Sequence, residues 1–180
     1  MEAARELYQA ILLLSKTFEE KYNQKPFIRI ITHSHGGNVA LNMAKIKNDK
    51  FELCIDELVL LACPIQEQTA CCSHDKLFDH IYSLYSRSDS IQVLDPQGFH
   101  YWRKKHKLLK PLSFFSGRCF PDHCTKVRQV EIKLDGKGLM HIDFLFHKFL
   151  KCLPDMLHTI KHWYEHTFDE KPKLLFVKTK

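Results

Sequence analysis

The sequence contains no apolar run of the roughly eighteen residues that a transmembrane helix needs. Its first stretch, MEAARELYQAILLLSKTFEEKYNQ, is charged and amphipathic. It lacks the basic start, short apolar centre and small-residue cleavage site of a signal peptide. The cysteines number seven, an odd count, with two adjacent at Cys71 and Cys72. A secreted disulfide framework favours an even count, so reduced thiols are expected. No nucleic-acid motif accompanies the basic residues, so no nucleic-acid partner is expected. No internal repeat, low-complexity tract or second domain boundary interrupts the chain. These absences leave a cytoplasmic protein as the expectation, with one domain over residues 1–180.

What is present begins with size. A chain of 180 residues with 44% hydrophobic content can bury a sizeable core. The formal charge is +6, and much of the excess lies in Arg103, Lys104, Lys105, Lys107 and Lys110. Such a cluster reads as a solvated face, or as a contact for anionic lipid or another acidic surface.

Periodicity supplies the elements. Leu7, Ile11, Leu14 and Phe18 recur at helical spacing, widened by Ala10 and Leu13, and predict a helix over 3–23 that stops before Pro26. Residues 27–32 form an expected strand, and helical spacing resumes over 38–47. The nearly continuous apolar run at 57–62 suits a parallel strand covered on both faces. A short helix is expected at 74–80, strands at 81–86 and 130–134, and a helix over 144–163 broken near Pro154. The basic last dozen residues read as a loose end or edge segment. Strands alternating with helices predict an α/β domain with a parallel sheet of about four strands, flanked by helices.

One stretch carries chemistry. Residues 27–41 read FIRIITHSHGGNVAL: a strand, then Ser34 between two His and two Gly, then a helix. A Ser hydroxyl is a poor nucleophile unless a base stands near and the backbone lifts it clear. A sharp strand-to-helix turn does the lifting, with small residues where the chain crowds itself. Gly36 meets that need, and Gly37 lets the new helix pack closely. The helix start aims free N–H groups at developing negative charge, which makes the His35 N–H the oxyanion donor.

The segment Thr32-His33-Ser34-His35-Gly36-Gly37 resembles the nucleophile elbow of the α/β-hydrolase fold in its lipase and esterase form, with Thr32 where that pattern has Gly. The resemblance implies a Ser–acid–His order along the chain. Asp89 follows an expected strand and is the favoured acid, with Asp95 as rival. His141 follows the last expected strand and is the favoured base, with His123 and His147 as rivals. His33 is expected to pack under the turn. The implied activity is cleavage of carboxylic esters through an acyl-enzyme on Ser34, with no cofactor and no metal.

The resemblance covers only the later half of that fold, a truncated version without its first strands. No HGGG motif precedes Ser34, so the second oxyanion donor has no source, a deficit of about 10²–10³ in rate. The strand before Ser34 is left with a bare edge. Self-association or a missing N-terminal half at that edge is therefore expected, unless the segment KPKLLFVKTK covers it. Two other classes compete. Cys119, Asp122, His123 and Cys124, with Cys63, Cys71, Cys72 and His74, form a loose metal-like set whose plainer reading is free thiols. A non-catalytic interaction module, or an impaired fragment of a longer hydrolase, would keep the same residues without turnover. Phe99, Tyr101, Trp102, Phe114, Phe115 and Phe120 read either as core or as an apolar cap for acyl chains beside a membrane surface, making an ester or lipid the expected substrate.

Overall fold

The computed structural model describes residues 1–46, 53–94, 116–121, 124–166 and 172–179. Asp95, His123, the basic cluster 103–110 and all the cap aromatics except Phe120 lie outside them. Phe120 is buried in the core.

Helix α1 (Glu2–Tyr22) leads into strand β1 (Arg29–His33). A left-handed residue ends the helix before Pro26 is reached: Asn23 sits at φ 52°, and its N–H bonds to the Glu19 carbonyl at 2.8 Å. The buried face also differs from the expected stripe. Ala4 and Tyr8 are buried, with Leu7, Ile11 and Leu12 packed beside them, whereas Leu13 and Leu14 face solvent. Helix α2 (Gly36–Asn42) ends early, giving way to a 3-10 turn at Met43–Lys45.

Strand β2 (Ile55–Leu61) starts earlier than its apolar run suggests. A short helix α3 (Glu67–Ala70) and a 3-10 turn (Cys71–His74) replace the helix expected at 74–80, and strand β3 begins at once and runs Phe78–Tyr85. Strand β4 (Val127–Leu134) turns back into the two-residue strand β5 (Lys137–Gly138). A 3-10 segment (His141–Leu145) then precedes helix α4 (His147–His166), which runs unbroken through Pro154. Of the two readings of the basic C-terminal stretch, the edge segment holds: Lys173–Val177 is strand β6.

Among the described residues the result is an α/β fold with a six-stranded, mostly parallel sheet. Strands β1, β2, β3 and β4 lie side by side in parallel, and β6 adds in parallel to β4. Only β5 is antiparallel. Strand β6 therefore sits at the end of the sheet remote from β1 and leaves the β1 edge untouched. Four strands were legible as apolar runs; β5 is too short to show a pattern, and β6 is masked by its flanking lysines.

Alternation within the strands builds two cores. Leu58, Leu60 and Ile81 face α1 and α2, while Val59, Leu61, Tyr82 and Leu84 face α4. Each fully buried side chain of this size stabilises by about 1.5–3 kcal/mol. The coverage fades at β1, where Ile31 is 51% exposed and the adjacent Phe27 64%.

Candidate active site

Parallel strands deliver their C-terminal ends to one edge of the sheet. The register aligns His33 with Leu61, Leu61 with Leu84, and Tyr85 with Glu131. The residues that follow β1, β3 and β4 therefore share one rim.

At the end of β1 the chain bends sharply. Ser34 adopts φ 55°, a left-handed conformation that a side-chain-bearing residue enters at a cost of about 1–3 kcal/mol. Two bonds hold it there. Its N–H donates to the Leu61 carbonyl at 2.9 Å, and its carbonyl accepts the Gly37 N–H at 3.1 Å. Beside it, Ala62 at the end of β2 has φ 50° and donates its N–H to Leu84 at 2.9 Å. Two neighbouring strands thus terminate in the same strained manner.

The elbow glycines divide their duties otherwise than expected. A Cβ on Gly36 would meet Thr32 Cβ at 3.6 Å, an ordinary contact, so the turn does not demand glycine there. A Cβ on Gly37 would overlap the Cys63 side chain and approach Leu60 Cδ2 at 3.0 Å. It is Gly37 that lets α2 sit against the end of β2. Thr32 is accommodated by donating its hydroxyl to the Val59 carbonyl at 3.1 Å. His35 forms the N-cap of α2 without a side-chain cap bond.

Asp89 and His141 meet. The His141 Nδ1–H donates to Asp89 Oδ2 at 2.7 Å. Asp89 is fully buried, and its other oxygen accepts the Gln92 N–H at 3.1 Å. Because the carboxylate accepts the Nδ1–H bond and so holds the proton on Nδ1, the neutral ring presents Nε2 as an acceptor. His147 lies exposed at the start of α4 and takes no part.

His33 does not pack under the turn. Its ring stands 4.6 Å from the His141 ring, and its Nε2–H donates to the His141 carbonyl at 2.9 Å. The residue before Ser34 therefore holds the loop that carries His141, which brings the imidazole beside the elbow. Among the described residues no hydrogen bond joins the Ser34 hydroxyl to His141. Such contacts are often long until substrate closes the site.

Sequence reading missed the residues that brace this rim. The buried Ser86 hydroxyl accepts the Leu139 N–H at 2.9 Å, tying the Asp89 loop to the His141 loop. Gly138 permits that approach, since a Cβ there would overlap Ser88. Arg118 donates to the Asp89 carbonyl at 2.7 Å and to the Ser86 carbonyl at 3.3 Å. Gln92 Nε2 donates to the Cys63 carbonyl at 2.8 Å, linking the Asp89 loop to the end of β2. Only Ser86 left a trace, in the run Ser86-Arg87-Ser88-Asp89; Arg118 and Gln92 act on main-chain carbonyls, which no motif encodes.

All seven cysteines are free thiols, and Cys63, Cys72 and Cys124 are buried. Burial pushes the Cys72 and Cys119 thiols up. Among the described residues no group of three His, Cys, Asp or Glu gathers as a metal site, and Asp122 lies outside them with His123. No helix among the described residues is long and apolar enough to cross a membrane. Compared with protein-family models, with curated proteins and with solved structures, the chain matches none of them.

Proposed function

We propose that the chain carries the nucleophile, base and acid of a serine hydrolase acting on carboxylic esters, in a truncated α/β-hydrolase arrangement. The observation that carries the reading is the Asp89–His141 bond, formed on the loop that His33 holds against the elbow of Ser34. The Asp89–His141 pair and the strained bend at Ser34 come from segments far apart in sequence, in the order Ser, Asp, His, and follow neighbouring parts of one sheet.

In this mechanism His141 Nε2 takes the Ser34 hydroxyl proton as Oγ bonds to the acyl carbon. Asp89 keeps the proton on Nδ1 and stabilises the imidazolium. The oxyanion rests on the His35 N–H at the start of α2. Collapse expels the alcohol, which leaves with the proton from His141. Water then repeats the sequence on the acyl-enzyme, releasing the acid and restoring Ser34.

A fluorophosphonate probe tests this. Labelling of the folded protein is expected, absent in Ser34→Ala and reduced in His141→Ala. A folded sample that takes no label sinks the reading. A p-nitrophenyl ester series of rising chain length then defines the acyl preference. The one-sided pairing of β1 among the described residues favours one second reading, an impaired fragment that works only when another strand covers that edge. Weak labelling that rises with protein concentration is its signature.

A further inference from the structure

The segment that brings His141 to the rim is apolar in two opposite directions. Phe144 and Phe149 point inward and are fully buried. Met140, Ile142, Leu145, Phe146 and Leu150 point outward, with Ile142 53% and Phe146 54% exposed. These outward side chains all fall within residues 140–150. Ile142 and Leu145 are three apart on a 3-10 turn, where such positions eclipse. Phe146, with extended backbone, caps helix α4, its carbonyl accepting the Leu150 N–H at 3.0 Å. A dense local set of exposed apolar side chains of this kind marks a contact surface.

Charge identifies what it contacts. A groove of about 620 Å³ begins where these residues end, between α4 and β6, and Lys148, Lys151, Lys178 and the exposed Phe176 line it. Lys137 is exposed on the short strand β5 before these residues. Of the nearby acids, Asp143 accepts the Met140 N–H at 2.7 Å and Asp135 is paired with Lys148 at 2.7 Å, so Lys148 is already matched; Asp155 also lines the groove, against the exposed Lys137, Lys151 and Lys178. An apolar ridge flanked by lysines fits an interface of acyl chains and anionic headgroups. A second copy fits poorly, because each chain carries a formal charge of +6 and the lysines of two copies would oppose one another.

We infer that residues 140–150 and the lysines beside them dock this protein on an anionic lipid surface. Through the ester-hydrolase reading, on which this consequence rests, docking sets His141 at the interface and makes lipid esters the substrate class.

Co-sedimentation with vesicles tests the docking by itself, using the Ser34→Ala protein so that turnover does not enter. Binding to phosphatidylglycerol–phosphatidylcholine vesicles is expected, with much weaker binding to phosphatidylcholine alone. Leu145→Ser with Phe146→Ser is expected to lower the affinity at least tenfold, and Lys151→Ala or Lys178→Ala roughly fivefold each. Thermal melting verifies that each variant folds. Absence of vesicle binding by folded protein overturns the proposal. So does binding that these substitutions leave unchanged, or their abolishing a dimer instead. Vesicle binding without fluorophosphonate labelling of the wild type would keep the docking face and remove the hydrolase.

Discussion

The two halves of the site rim are built to different standards. Asp89 follows β3, a strand with neighbours on both sides, and His141 follows the β4–β5 hairpin, whose β4 also has neighbours on both sides. Ser86, Gln92 and Arg118 lash their loops together through four bonds to main-chain atoms. Ser34 rises from β1, which pairs only with β2 among the described residues and leaves Ile31 and Phe27 half exposed. Asp89 and His141 are therefore placed by a braced, largely buried framework. Ser34 is placed by local backbone strain, held by Leu61 and by the close seat of Gly37. Geometry at the His141 end tolerates little change, whereas the β1 end is open to whatever pairs with it.

The sharpest way to break this contrast is at the buried carboxylate. Asp89→Asn preserves shape but offers the ring the wrong tautomer, and ester hydrolysis is expected to fall about 10⁴-fold. A loss below tenfold would deny Asp89 its assigned role. On the nucleophile side, the two glycines separate strain from crowding. Gly37→Ala drives a methyl into Cys63 and Leu60 and is expected to cost about 1–3 kcal/mol in denaturant unfolding, while Gly36→Ala stays within about 0.5 kcal/mol. Equal effects at both positions would contradict the packing described.

Smaller effects refine the comparison. Arg118→Met removes the bonds to the Asp89 and Ser86 carbonyls without touching Ser34. It is expected to lower kcat about tenfold, equivalent to about 1.4 kcal/mol, with KM unchanged. At the open edge, Ile31→Lys is expected to shift stability by no more than about 0.5 kcal/mol but to reduce concentration-dependent association in light scattering.

The smallest effect lies at the far end of β4. Lys148, then the Thr179 N–H and hydroxyl, hold the Asp135 carboxyl well below the usual carboxylate range. Its folded value is depressed, so its stabilisation is present above the unfolded value of about 3.9 and is lost as pH falls through the folded one. The stability gap between wild type and Asp135→Asn should therefore narrow on acidification below about pH 4, as read by urea midpoints.

Most of the fold was legible because its signals are local. The continuous apolar run of β2 needs cover on both faces, and the strand–Ser–Gly–Gly–helix succession leaves one tight turn at Ser34. Asp89 and His141 were legible because each stands just past a readable strand. The orientation of α1 was not: Leu13 and Leu14 fit the helical stripe as well as Ala4 and Tyr8 do, and the choice depends on where the sheet lies. Strand β6 was hidden for a related reason, since its five residues gain their pattern only by pairing with β4.

The sequence by itself determined the alternation of strands and helices, the bend at Ser34 and the order of the three chemical groups, since each follows from spacing and residue type along a short stretch. Tertiary structure alone decided that His33 holds the His141 loop, that Gly37 rather than Gly36 is sterically required, and that Arg118 and Gln92 brace the acid. Those facts depend on which main-chain atoms from distant segments come within hydrogen-bonding reach, and a carbonyl oxygen carries no residue identity by which to announce itself.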